Sequence, residues 1–144
     1  MITLDALKLY GANTAEGMAR CLNNESFYLK MVGMALADKN FDKLKEAMDT
    51  GDAHAAFAAA HSLKGAIGNV ALTPIYAPIC ELTELLRGKD ATVPGAEALS
   101  AQILAAECSI CTGTIVFTPK FCIFLDNYFK FFLLWNTLKQ CYVN

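Results

Sequence analysis

His61 is the residue of this chain best placed to do chemistry. It lies within Ala59-Ala60-His61-Ser62-Leu63-Lys64-Gly65-Ala66-Ile67-Gly68-Asn69-Val70. Set on a helix at about 100° per residue with His61 at zero, Ala59, Leu63, Ala66 and Val70 fall within about 40° of the opposite side. Those four are predicted to form the buried stripe. Phe57, Lys64, Gly65 and Gly68 fall within about 60° of His61, so the imidazole is predicted to point outward beside a lysine and two glycines. A solvated imidazole titrates near ~6.5 and is mostly neutral and nucleophilic at cytoplasmic pH. Lys64, one turn on, puts a mobile cation where the oxygens of a phosphoryl group on the ring would sit. Two glycines inside a helix cost about 1 kcal/mol each against alanine. They make sense if a partner must come close there. The ordinary reading of a helical histidine is a solvated surface residue, and the glycines and lysine set this one apart.

Other candidates carry less. His54 lies two turns before His61 and about 20° round the helix, and reads first as a solvated first-turn histidine. Phe57 is either an apolar contact for a partner or a residue packed at the bundle edge. Asn69 lies further round and serves a partner or the helix end. Cys108-Ser109-Ile110-Cys111 has metal or redox spacing. A zinc site needs two more ligands at recognised spacing, and a thioredoxin-like use needs a βαβ context, so coincidence is the better reading. Gly65-Ala66-Ile67-Gly68 matches a short RNA-binding loop, but it sits in a helical pattern without basic surroundings.

The elements that must position these residues read as helix after helix, with apolar residues at three- and four-residue spacing. A short helix over Leu4–Tyr10 ends at Gly11, and a second runs from Thr14 to about Leu22. Asn23 or Asn24 can cap a third, with Phe27, Met31, Met34 and Ala35, ending near Asp38. Asn40 is expected to cap a shorter one bearing Phe41, Leu44 and Met48, stopped by Thr50-Gly51. Asp52 is placed to cap the His61 helix, which runs to about Val70. Thr73-Pro74 reads as a cap and first-turn proline, while Pro78 is expected to delay the regular helix to about Ala77. Leu82, Leu85 and Leu86 give that helix its apolar face, and Gly88 ends it. A last helix is predicted from Ala96 to about Ala106. The expected fold is all-α: an antiparallel, up-down four-helix bundle with short extra N-terminal helices.

At 144 residues and net charge -2, the chain has room for one cored domain and no basic footprint for nucleic acid. No basic stretch followed by an apolar run opens the chain, so cytoplasmic residence and reduced thiols are expected. From about Glu107 the composition changes. Four of the six cysteines (Cys108, Cys111, Cys122, Cys141) lie there, aromatics crowd from Phe117 to Tyr142, and charge nearly vanishes. Pro119, Lys120, Asp126, Asn127 and Lys130 break any clean run of ~20 apolar residues, so a membrane span is not expected. The expected division is a domain over residues 1–106 and an atypical aromatic and cysteine-rich tail over 107–144, either frameshifted or poorly ordered.

Ala60, His61, Leu63, Lys64, Gly65 and Gly68 together resemble the signature of histidine phosphotransfer (HPt) domains of bacterial two-component phosphorelays. The resemblance extends over Met1 to about Ala106, including the Asn23-Asn24-Glu25 turn and the Leu82–Arg87 helix. It implies that His61 accepts a phosphoryl group from the aspartyl phosphate of a response-regulator receiver domain and passes it to another receiver. Lys64 would then stabilise the phosphoryl oxygens, and Phe57, Gly65, Gly68 and Asn69 would form the receiver-docking face. A hybrid sensor kinase is the implied upstream partner. No cofactor is expected on this chain, with Mg2+ on the receiver only, and no Walker-type loop would let it charge itself from ATP. Two other readings stay open: a receiver-binding scaffold that transfers nothing, and a detached phosphotransfer domain of a chemotaxis-type kinase.

Overall fold

The computed structural model describes residues 2–112 of the 144, and the reading of residues 113–144 as an anomalous tail lies outside the described residues. The described chain is all-α, with seven helices and no strand: α1 Leu4–Tyr10, α2 Thr14–Arg20, α3 Glu25–Leu36, α4 Asn40–Thr50, α5 Ala53–Asn69, α6 Thr73–Leu86 and α7 Ala96–Thr112. None of these helices is long and apolar enough to cross a membrane.

Local chemistry explains most of the boundaries. Thr3, Asn13, Asn24 and Asp52 each accept a hydrogen bond from a first-turn backbone N–H, satisfying donors the helix itself leaves open. Leu22 and Asn23 adopt positive φ in the turn between α2 and α3, so α2 stops at Arg20 rather than Leu22. Asn40 is not the cap expected of it. It lies inside α4, and the Asp38 carboxylate accepts from both its backbone N (2.9 Å) and its side-chain amide (2.8 Å).

Two helices differ more from expectation. α6 begins at Thr73 and carries Pro78 inside it. An interior proline costs about 3 kcal/mol. Yet Ile75, Pro78, Ile79 and Leu82 are all buried, and that burial holds the helix regular through the missing N–H. α7 runs beyond Ala106 to Thr112, with Ile110 in the core and the Ser109 hydroxyl donating to the Ala105 carbonyl at 2.8 Å. The compositional change at Glu107 therefore does not mark the end of the helix.

Helix α5 is central, packed between α4 and α6, while α7 lies against α6 and also touches α4. Its core face is Ala53, Ala56, Ala59, Ala60, Leu63 and Ile67, continued by Val70, and Ala66 is only half-buried. The buried face is thus turned toward Ala60 and Ile67 relative to the expected stripe, because two flanking helices cover α5. Its C-terminal end is clamped from the N-terminal helices. The Tyr28 hydroxyl donates to the Val70 carbonyl at 3.0 Å, the Asn13 N–H donates to the Ala71 carbonyl at 3.0 Å, and Arg20 donates to the Gly68 carbonyl. Gly17 makes room for this clamp, since a Cβ there would run into the Tyr28 ring.

Candidate functional site

The strip of α5 left uncovered carries His61. Its imidazole is exposed, while Ala60 before it and Leu63 after it are buried and anchor the backbone. Phe57, one turn earlier and half-buried, stacks on the ring with centroids 5.8 Å apart and planes 23° from parallel. This contact limits the rotamers of an otherwise solvated ring. Lys64, one turn later, is partly covered, its side chain 31% exposed.

Three cross-helix contacts fix the register of α5 against α6. Gly68 meets Tyr76, Lys64 meets Glu84, and Phe57 meets Arg87. As numbers fall along α5 they rise along α6, so the pair is antiparallel. The short connection Val70–Leu72 is consistent with that reversal. The last turn of α6 is thereby delivered beside His61.

What it delivers was not visible in the sequence. Glu84 accepts from Arg87 through both carboxylate oxygens, Nε to Oε2 and Nη2 to Oε1, each at 2.9 Å. The Arg87 guanidinium also lies over the Phe57 ring, 5.7 Å from its centroid. Lys64 Nζ stands 3.7 Å from Glu84 Oε1, beyond hydrogen-bond reach, so that contact is Coulombic. The Arg87 fork holds the Glu84 carboxyl below the usual range, and Glu84 in turn raises Arg87. Glu84 and Arg87 are spaced i,i+3, an everyday helix-surface pair. Only the α5–α6 register ties them to His61.

The two glycines turn out to differ. A Cβ on Gly65 would meet nothing within 4 Å, so this position is bare beside the imidazole. A Cβ on Gly68 would lie 2.9 Å from Tyr76 Cε2, so this glycine admits a neighbouring side chain of the same molecule. Asn69 is exposed at the last residue of α5, about 12 Å along the axis from His61. The structure therefore gathers His61, Phe57, Lys64 and Gly65 and sets Asn69 apart. His54 is also apart, its Nε2 3.3 Å from Asp90 Oδ1 in the loop after α6. Cys111 is exposed on α7, its thiol donating to Glu107 at 3.3 Å.

A nucleophilic ring on a helix face, oriented by an aromatic and attended by cations, is suited to holding a transferable anion. The family model described as Hpt domain matches residues 34–109, which takes in His61 and every residue of this cluster. The chain belongs to the Hpt domain family. Hpt domains carry out histidine phosphotransfer in phosphorelays and interact with the receiver domains of two-component systems. The Hpt match begins near the end of α3 and ends within α7, so α1 and α2 stand outside it. Searches of curated proteins and of solved structures found no match.

Proposed function

We propose that this chain is a phosphorelay intermediate that accepts a phosphoryl group on His61 from the aspartyl phosphate of one receiver domain and passes it to a second. The observation that carries this reading is the bare backbone at Gly65 one turn from an exposed imidazole, which leaves a partner's active site room to reach the ring. In the transfer, the unprotonated ring nitrogen attacks phosphorus, a P–N bond forms and the aspartyl P–O bond breaks. The electron pair of the broken bond returns to the receiver's carboxylate. The ring keeps its other N–H until it releases that proton to solvent. Phosphoryl transfer depends mainly on positioning and charge neutralisation, so Lys64 acts on the phosphoryl oxygens and the receiver supplies the metal.

In this reading α4 to α7 form the up-down four-helix bundle, supported by the antiparallel α5–α6 register and the α4–α7 contact. Phe57, Gly65 and Gly68 lie on the receiver-docking face, with Asn69 at its far edge. The functional unit lies within the residues up to Thr112, with a cytoplasmic location and a hybrid sensor kinase upstream. The chain acts as substrate and carrier, and it is not expected to phosphorylate itself from ATP.

The test is to incubate the full chain with receiver charged by a small phosphodonor. Wild type becomes labelled, with acid-labile, base-stable phosphate, and His61→Gln does not. Label that persists in His61→Gln removes His61 from this role. A wild-type chain that binds charged receiver without taking label is the scaffold of the second reading.

A further inference from the structure

We propose that Glu84 is a positioning residue for phosphotransfer: it holds Lys64 as a counter-charge in the unphosphorylated protein and yields it to the phosphoryl group on His61. The inference rests on His61 being the phosphorylated residue. Glu84 touches no reacting atom and works through Lys64.

The asymmetry of its two contacts supports this exchange. Arg87 occupies both carboxylate oxygens at 2.9 Å in a planar fork and is also seated over Phe57. It sits at the C-cap of α6, where the helix dipole favours a cation. Arg87 is thus held three ways. Lys64 is held one way, by charge across 3.7 Å. Its flexible four-carbon stem and three donors let it swing without disturbing either helix. A phosphoryl group brings about -1.5 to -2 charge and three strong acceptors, against one charge on a carboxylate already engaged by Arg87. Lys64 is therefore the partner that leaves.

The exchange sets the affinity of His61 for phosphate. While Glu84 is ionised, part of the Lys64 charge is cancelled. The phosphohistidine is less favoured than a lone lysine would make it, which suits a carrier that must give its cargo away. Removing the charge from Glu84 removes the competitor.

The test uses the full chain, a receiver and a small phosphodonor, and measures the ratio of phospho-His61 to phospho-receiver at equilibrium. Glu84→Gln keeps a carbonyl acceptor for Arg87 but drops the charge, and should raise that ratio by about two- to fivefold, an effect that shrinks as salt is added. Glu84→Asp should stay closer to wild type. In a Lys64→Ala background the Glu84→Gln effect should largely disappear, which a merely structural role for Glu84 would not produce. An unchanged or lowered ratio in Glu84→Gln, with wild type labelling normally, overturns the role of Glu84 alone. An effect of equal size without Lys64 overturns the exchange. A wild-type chain that takes no label at His61 instead sinks the carrier reading, and this inference with it.

Discussion

Gly65 and Gly68 stand three residues apart on one helix face, and the sequence offered the same reason for both, namely clearance for a visitor. Their surroundings separate them. Alanine at Gly65 enters open space and gains helix propensity, so Gly65→Ala should raise stability by up to about 1 kcal/mol while slowing transfer from a charged receiver. Alanine at Gly68 lands 2.9 Å from the Tyr76 ring, so much of that gain is spent on moving the ring, and its unfolding midpoint should fall below that of Gly65→Ala. Thermal melts of both variants, read beside receiver-driven labelling, check the pair. A Gly65→Ala chain that labels at the wild-type rate would remove the case for a bare approach to His61. Lys64→Ala should slow labelling about tenfold or more, since a cation aimed at developing charge is lost, and should leave the fold intact because the ammonium lies outside the core and its contact with Glu84 is a 3.7 Å surface ion pair.

The helices owe their ends to local chemistry and their continuity to packing. Asp52 shows the first, accepting from the Ala55 N–H at 2.9 Å at the start of the helix that carries His61. Asp52→Ala should cost about 1 kcal/mol in urea unfolding, with the denaturant slope unchanged. Pro78 shows the second. Judged on propensity it should have delayed α6 by about a turn, and it did not, because the buried face to which it belongs outweighs one lost hydrogen bond. The register this helix adopts has the larger functional consequence, since it brings Glu84 and Arg87 to the edge of the His61 strip.

Across the molecule, α5 is the hub, flanked by α4 and α6 and tied at its C-terminal end to α2 and α3 by the Arg20 and Tyr28 hydrogen bonds. Those ties give α2 and α3 a part in holding the site helix. The same view carries the last helix past its expected end near Ala106. Ile110 is 8% exposed and belongs to the main core, four residues past Ala106. A chain ended after Ala106 should therefore be less stable than one ended after Thr112, by about 1–3 kcal/mol for the lost apolar burial. Denaturant titration of the two truncations followed by circular dichroism tests this, and equal midpoints would contradict it.

The sequence by itself determined the all-α character, the caps at Asn24 and Asp52, and the outward histidine with lysine and glycine one turn on. Each of these depends on residues within about a turn of one another, where helical geometry alone dictates neighbours. Tertiary structure decided what lies across from them: Tyr76 over Gly68, Arg87 over Phe57, Glu84 beside Lys64, and the burial that carries α6 through Pro78 and α7 to Thr112. Those pairings depend on how one helix slides and turns against the next, and that is fixed by the whole buried surface at once.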